Sequence, residues 1–196
     1  MATDIPVEQI ETTVKIYKTF DSMGIKNELL RSIYSFGYEK PTVIQQKAIV
    51  PFIEGRNIIA QGPFFTGKTA AFSIGTLQQI EVEKKFCQAI LLAPTRELAL
   101  QTQEVVKNLS QYLDIDVFAC IGGTSVRETI EILKKKVHIV VGTPGRVLDM
   151  IERGVIDVNK IKVLVLDGAS AMIFLPFING TIAFSWITVG FSKPNE

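Results

Sequence analysis

The sequence holds a single histidine, His138, and only two cysteines, Cys87 and Cys120. Neither cysteine has a Cys or His neighbour at metal-ligand spacing. That argues against a zinc or disulfide scaffold, and the pair read as buried, reduced thiols of a cytosolic or nuclear protein. His138 lies in an apolar run and reads as a structural residue rather than a catalyst. An excess of either charge is also missing, with 21 Lys and Arg against 20 Asp and Glu. This argues against a broad basic surface for nucleic acid and leaves room for a local track of phosphate contacts. Met1–Ile10 carries Asp4 and Glu8 with no basic cluster before an apolar core, so it resembles neither a signal nor a transit peptide. There is no internal repeat and no low-complexity linker. One absence points elsewhere: no charged residue falls between Asp167 and Lys193.

What is present is a chain of 196 residues, 47% apolar, enough for one domain with a sizeable core. Short Val/Ile/Leu-rich runs predict strands at Asn57–Ala60, Gln88–Ala93, Asp116–Cys120, Val137–Val141 and Lys162–Leu166. Helical patterns fall between them at Lys68–Glu83, Arg96–Tyr112, Val126–Lys136 and through Glu152. Continuous apolar strands alternating with helices predict an α/β fold, a parallel sheet with helices on both faces. Ligands of such sheets bind at the carboxyl ends of the strands, and every unusual loop here lies at such an end.

Gly62-Pro63-Phe64-Phe65-Thr66-Gly67-Lys68-Thr69 fits a phosphate-binding loop between a strand and a helix. Backbone N–H groups and a helix N-terminus converge on phosphates in that arrangement, and the lysine adds a compact positive charge. The threonine hydroxyl suits Mg²⁺. Pro63 has no N–H to donate, and Phe64 and Phe65 put bulk where close backbone approach is needed, so binding is expected to be weakened rather than abolished.

Around this loop the sequence resembles the DEAD-box ATP-dependent RNA helicases. Phe20 and Gly37-Tyr38-Glu39-Lys40-Pro41-Thr42-Val43-Ile44-Gln45 resemble the family's Q motif. Pro94-Thr95-Arg96-Glu97-Leu98-Ala99 resembles motif Ia, while Gly122-Gly123 and Thr143-Pro144-Gly145-Arg146 resemble two further RNA-contact motifs, all in family order. The wording is most similar to the translation-initiation and exon-junction subgroup, which implies translation or RNA-processing factors as partners. The resemblance implies a RecA-like P-loop domain, incomplete at its C-terminal end. It divides the chain into an extension (1–19), a first helicase domain (20–172) and a divergent apolar tail (173–196), with no residues for the family's second domain.

The resemblance also implies roles. ATP would be held by Phe20 stacking on adenine, Gln45 reading its edge, and Tyr38, Thr42, Gly62, Thr66, Gly67, Lys68 and Thr69. Mg²⁺ would be held by Thr69 and Asp167, with Lys68 and Asp167 as the catalytic pair. RNA would be held by its backbone, without sequence specificity, along Pro94, Thr95, Arg96, Gly122, Gly123, Thr143, Pro144, Gly145 and Arg146. Two departures bear on turnover. Where the family's motif II reads Asp-Glu-Ala-Asp, this chain has Asp167-Gly168-Ala169-Ser170, and losing a positioned general base costs about 10²–10⁴-fold. The family's second domain, which supplies arginines to the transferring phosphate, has no counterpart here.

The uncharged tail has three readings. Thr181–Val189 could supply a degenerate version of the family's next strand. Ala171–Val189 is about long enough to span a membrane, although Pro176, Asn179, Gly180 and Thr181 interrupt it. The third reading is a tail with no selected role. The functional expectation is a first-domain fragment that binds ATP and RNA backbone with hydrolysis and unwinding lost. The alternatives are a non-catalytic RNA- or partner-binding module and a non-functional truncated product.

Overall fold

In the computed structural model the described residues are 15–63, 65–168 and, for the backbone, 185–190. Six strands are described: β1 (Ile58–Gln61), β2 (Ala89–Leu92), β3 (Val117–Cys120), β4 (Ile139–Gly142), β5 (Val163–Asp167) and β6 (Ser185–Gly190). They form one parallel sheet in the order β1-β6-β5-β2-β4-β3. The helices are α1 (Asn27–Ser35), α2 (Val43–Ile53), α3 (Lys68–Gln79), α4 (Arg96–Leu109), α5 (Val126–Leu133) and α6 (Pro144–Glu152).

Strand alternation sorts the side chains into two cores. Ala89, Leu91, Ile139, Val141, Val163 and Val165 face α1–α4, where they pack with Leu29, Ile49, Phe52, Phe72, Leu77 and Val106. Ile90, Leu92, Val140 and Leu164 face the other way and meet Leu133, Val147 and Met150 of α5 and α6. Both faces of β2, β4 and β5 are covered, which is why these strands read as unbroken apolar runs, whereas Ile59 of β1 is exposed.

Three helices end earlier than periodicity predicts. α3 stops at Gln79 because Gln88, fully buried, holds the following turn with its amide. Its Nε2 donates to the Glu81 and Lys84 carbonyls, and its Oε1 accepts from the Glu81 N–H. α4 ends at Leu109 and α5 at Leu133, each followed by tight turns rather than further helix. α1 and α2, absent from the strand–helix reading of the sequence, form a helical pair ahead of β1.

Within the tail, Ser185–Gly190 is a strand between β1 and β5, with Ile58 opposite Ile187 and Val165 also opposite Ile187. This is the place that the strand reading of the tail requires. Thr181–Phe184 and the remainder of the proposed membrane stretch lie outside the described residues, while Ser185–Val189 are paired in the sheet. Among the described residues no helix is long and apolar enough to cross a membrane.

Candidate nucleotide and RNA site

Because all six strands run in parallel, their carboxyl ends share one edge of the sheet. From one side to the other that edge presents the Gly62–Thr69 loop after β1, Asp167 at the end of β5, Pro94–Arg96 after β2, Thr143–Arg146 after β4 and Gly122–Gly123 after β3. At about 4.8 Å per strand the whole track is roughly 24 Å long.

The phosphate loop is tied to α2. Thr42 caps α2 and forms a capping box with Gln45, whose Oε1 accepts the Thr42 N–H at 2.9 Å. The Gln45 Nε2 donates to the Gly67 carbonyl at 3.2 Å, and the Thr42 hydroxyl donates to the Thr66 carbonyl at 2.8 Å. Gly67 has φ 84°, and a Cβ there would lie 2.5 Å from Gln45 Nε2, so only glycine fits. Lys68 is buried, and its ammonium donates to the carbonyls of Gly62 and Pro63. Burial lowers the Lys68 pKa, opposed by the Asp167 charge. Phosphate binding therefore requires that ammonium to exchange loop carbonyls for phosphate oxygens.

The loop's unusual residues leave a trace. Phe65 has φ 60°, the one non-glycine residue with positive φ among the described residues, and its ring is fully exposed. A left-handed non-glycine residue costs about 1–2 kcal/mol. Phe64 lies outside the described residues.

Asp167 is 4% exposed, and its Oδ2 accepts from the Thr102 hydroxyl at 3.3 Å. Burial pushes its carboxyl above the ordinary range, against the pull of Thr102, Lys68 and the Gly168 N–H. Thr69, half-buried at the start of α3, adds a hydroxyl. Magnesium commonly takes one or two carboxylates and completes its shell with water and phosphate, so this donor pair fits a Mg²⁺–nucleotide. Among the described residues no three His, Cys, Asp or Glu side chains converge to hold a metal by themselves. Gly168 has φ 68°, and a Cβ there would lie 3.2 Å from Pro94 Cγ.

At the far end of the edge, Thr95 caps α4 through the Leu98 N–H. The exposed Arg96 lays its guanidinium on the glycine turn, so that a Cβ on Gly123 would lie 2.6 Å from its Nη1. Arg146 donates from Nη1 to the hydroxyls of Thr124 and Thr129 and from Nη2 to the Thr124 carbonyl. Thr143 caps α6 by position, with Pro144 at the first helical position. Among the described residues, a Cβ on Gly145 would meet no atom within 4 Å.

Two Q-motif residues sit elsewhere than a ligand-facing role requires. Phe20 is completely buried in the core, edge-on to Tyr34, so in this arrangement it has no open face for a base to stack on. Gln45 is 1% exposed, with its amide engaged by Thr42 and Gly67. Tyr38 is half-buried against Phe36, with ring centroids 5.0 Å apart, and burial raises its pKa. Thr102, Thr124 and Thr129 hold the predicted side chains in place yet belong to no motif; a threonine inside a helix or turn carries no pattern that would single it out.

A family model for DEAD/DEAH box helicases matches residues 42–179. The chain belongs to that family. It is 53% identical over 169 residues to eukaryotic initiation factor 4A of Drosophila melanogaster, covering 86% of this chain and 42% of that protein. Among solved structures, a DEAD box protein from Methanococcus jannaschii superposes with a TM-score of 0.83 at 32% identity, covering 91% of this chain and 51% of the other. S. cerevisiae Dbp5 bound to RNA and ADP–BeF3 gives 0.78 at 34% identity, covering 89% and 46%. The chain thus spans less than half the length of the initiation-factor relative, and the family's RecA-like α/β fold is the one seen here.

Proposed function

We propose that this chain is a first helicase domain that binds adenine nucleotide and RNA backbone with negligible turnover of its own. The observation that carries the reading is the single sheet edge on which the phosphate loop, Asp167 and the three backbone-facing turns follow one another. Lys68 and the N-terminus of α3 meet phosphates, Thr69 and Asp167 hold Mg²⁺, and Thr42 and Gln45 brace the loop. Mg²⁺ would neutralise phosphate charge when bound. Thr95, Arg96, Gly122, Gly123, Thr143 and Arg146 receive RNA phosphates and sugars without reading bases. Gly145, whose Cβ would meet nothing among the described residues, leaves room for an RNA strand to approach. The capture of Dbp5 with RNA and ADP–BeF3 supports this ligand pair, and likeness to initiation factor 4A supports translation or RNA-processing factors as partners.

Turnover is assigned as negligible because Gly168 offers no group to polarise water, a loss of about 10²–10⁴-fold. A second reading, in which nucleotide no longer enters, draws on the strained Phe65 and on Lys68 bonded to its own loop. Thermal unfolding with and without Mg²⁺ and 1 mM ATP separates the two. A Kd near 0.1 mM stabilises by about 1.4 kcal/mol, a rise of roughly 3–5 °C. An unmoved midpoint removes the nucleotide-binding reading, and RNA-stimulated phosphate release would overturn the assignment of negligible turnover.

A further inference from the structure

α4 joins the two ends of the edge. Its cap and first residue are Thr95 and Arg96, and two turns later, about 10 Å along the axis, comes Thr102. Thr102 is 1% exposed and donates to Asp167 Oδ2. The same segment presses on the neighbouring residue: a Cβ on Gly168 would lie within 3.3 Å of Pro94 and 3.5 Å of Leu98. Gln103, one residue on, donates to the Val117 carbonyl and ties α4 to β3. A buried hydroxyl costs free energy unless it is bonded, and valine would fill the same space without that cost. What the hydroxyl adds is a donor to Asp167. A carboxylate held at one oxygen by a neutral donor keeps its charge and loses freedom about χ2.

We propose that Thr102 is a positioning residue, aiming the Asp167 carboxylate at nucleotide-bound Mg²⁺ and linking that aim, through α4, to RNA backbone at Thr95–Arg96. This rests on reading the edge as a nucleotide and RNA site. The helix is the rigid element that both ligands touch, one at its N-terminus and one through its second turn. RNA that shifts the start of α4 also shifts the hydroxyl that holds the metal ligand.

The test compares the whole chain with Thr102→Val and Thr102→Ser, titrating a fluorescent ADP in Mg²⁺ or EDTA, with and without single-stranded poly(U). The readout is the ratio of Kd in EDTA to Kd in Mg²⁺. Thr102→Val is expected to cut that ratio roughly tenfold, the scale of a hydrogen bond to a charged group. It should also shrink the effect of poly(U) on Mg²⁺–nucleotide affinity, while Thr102→Ser restores both to within about threefold. An unchanged ratio in Thr102→Val overturns the proposal and leaves the nucleotide site standing. Equal weakening in Mg²⁺ and EDTA, with a lower unfolding midpoint, marks a purely structural threonine and also overturns it. A parent chain with no Mg²⁺-dependent binding overturns the site reading, and this proposal with it.

Discussion

Replacing Gly75 with alanine tests the packing that sets α2 against α3. A Cβ on Gly75 would lie 1.8 Å from Phe52 Cδ1, 2.7 Å from Cε1 and 2.8 Å from Cγ, where about 3.5–4.0 Å is normal. Phe52 is 0% exposed, so its ring has no solvent to move into. Overpacking a core costs about 1–3 kcal/mol, and so deep an overlap belongs at the upper end. Alanine returns about 0.8–1.0 kcal/mol of helix propensity. The net loss is about 2 kcal/mol, or roughly 4–8 °C in midpoint for a domain of this size. Urea unfolding of Gly75→Ala, Phe52→Leu and the double variant measures it. Phe52→Leu removes the ring, so the double variant is expected to be more stable than the sum of the singles by at least about 1 kcal/mol. The helices also carry Gln45 and Lys68, so Gly75→Ala should lower the stabilisation by ATP. A neutral or stabilising Gly75→Ala, or additive singles, would refute the reasoning.

Three further outcomes follow from named contacts. His138 accepts the Asp116 N–H at Nδ1 and meets the Val82 carbonyl through Nε2, and burial lowers its pKa. Its contribution is therefore complete above the unfolded pKa of about 6.5 and is lost as pH falls through the lower folded value, at no more than about 1.4 kcal/mol per pH unit. Urea midpoints at pH 7.5, 6.5 and 5.5 should fall more steeply for the parent than for His138→Gln. Gly123→Ala, at φ 85° and against the Arg96 guanidinium, should displace that arginine and flatten the salt dependence of poly(U) binding; an unchanged slope would count against Arg96 as a phosphate contact. Gly168→Glu, at φ 68° and against Pro94, should cost about 1–3 kcal/mol and fail to raise phosphate release tenfold; a larger gain would show that the missing glutamate alone limits turnover.

The parallel sheet was legible because burial on both faces leaves strands such as Ile139–Gly142 with no polar alternation to confuse. The loop between β1 and α3 was legible because Gly67 and Lys68 answer to local geometry that a spacing rule captures. The end of α6 at Glu152 was legible, but those of α3, α4 and α5 were not; the stop after Gln79 depends on Gln88, a side chain just ahead of the next strand. Phe20 shows the limit of motif reading: the motif supplies an aromatic ring, and the core around Leu29 and Ile33 decides where it goes. Cys120 is buried and Cys87 half-buried, and burial pushes both thiols upward, Cys87 to about 12 and Cys120 to about 11, in line with unreactive cysteines.

The position of β6 has a temporal consequence. β1, which launches the phosphate loop, touches no described strand except β6, near the other end of the sequence. A chain emerging from the ribosome can pair β2, β3, β4 and β5 first, whereas β1 has no described strand partner until Ser185–Gly190 has been made. Closing so long a loop is slow, and the unpaired edge is exposed to misassociation while it waits. The Gly62–Thr69 loop thus follows a strand whose described partner is made last.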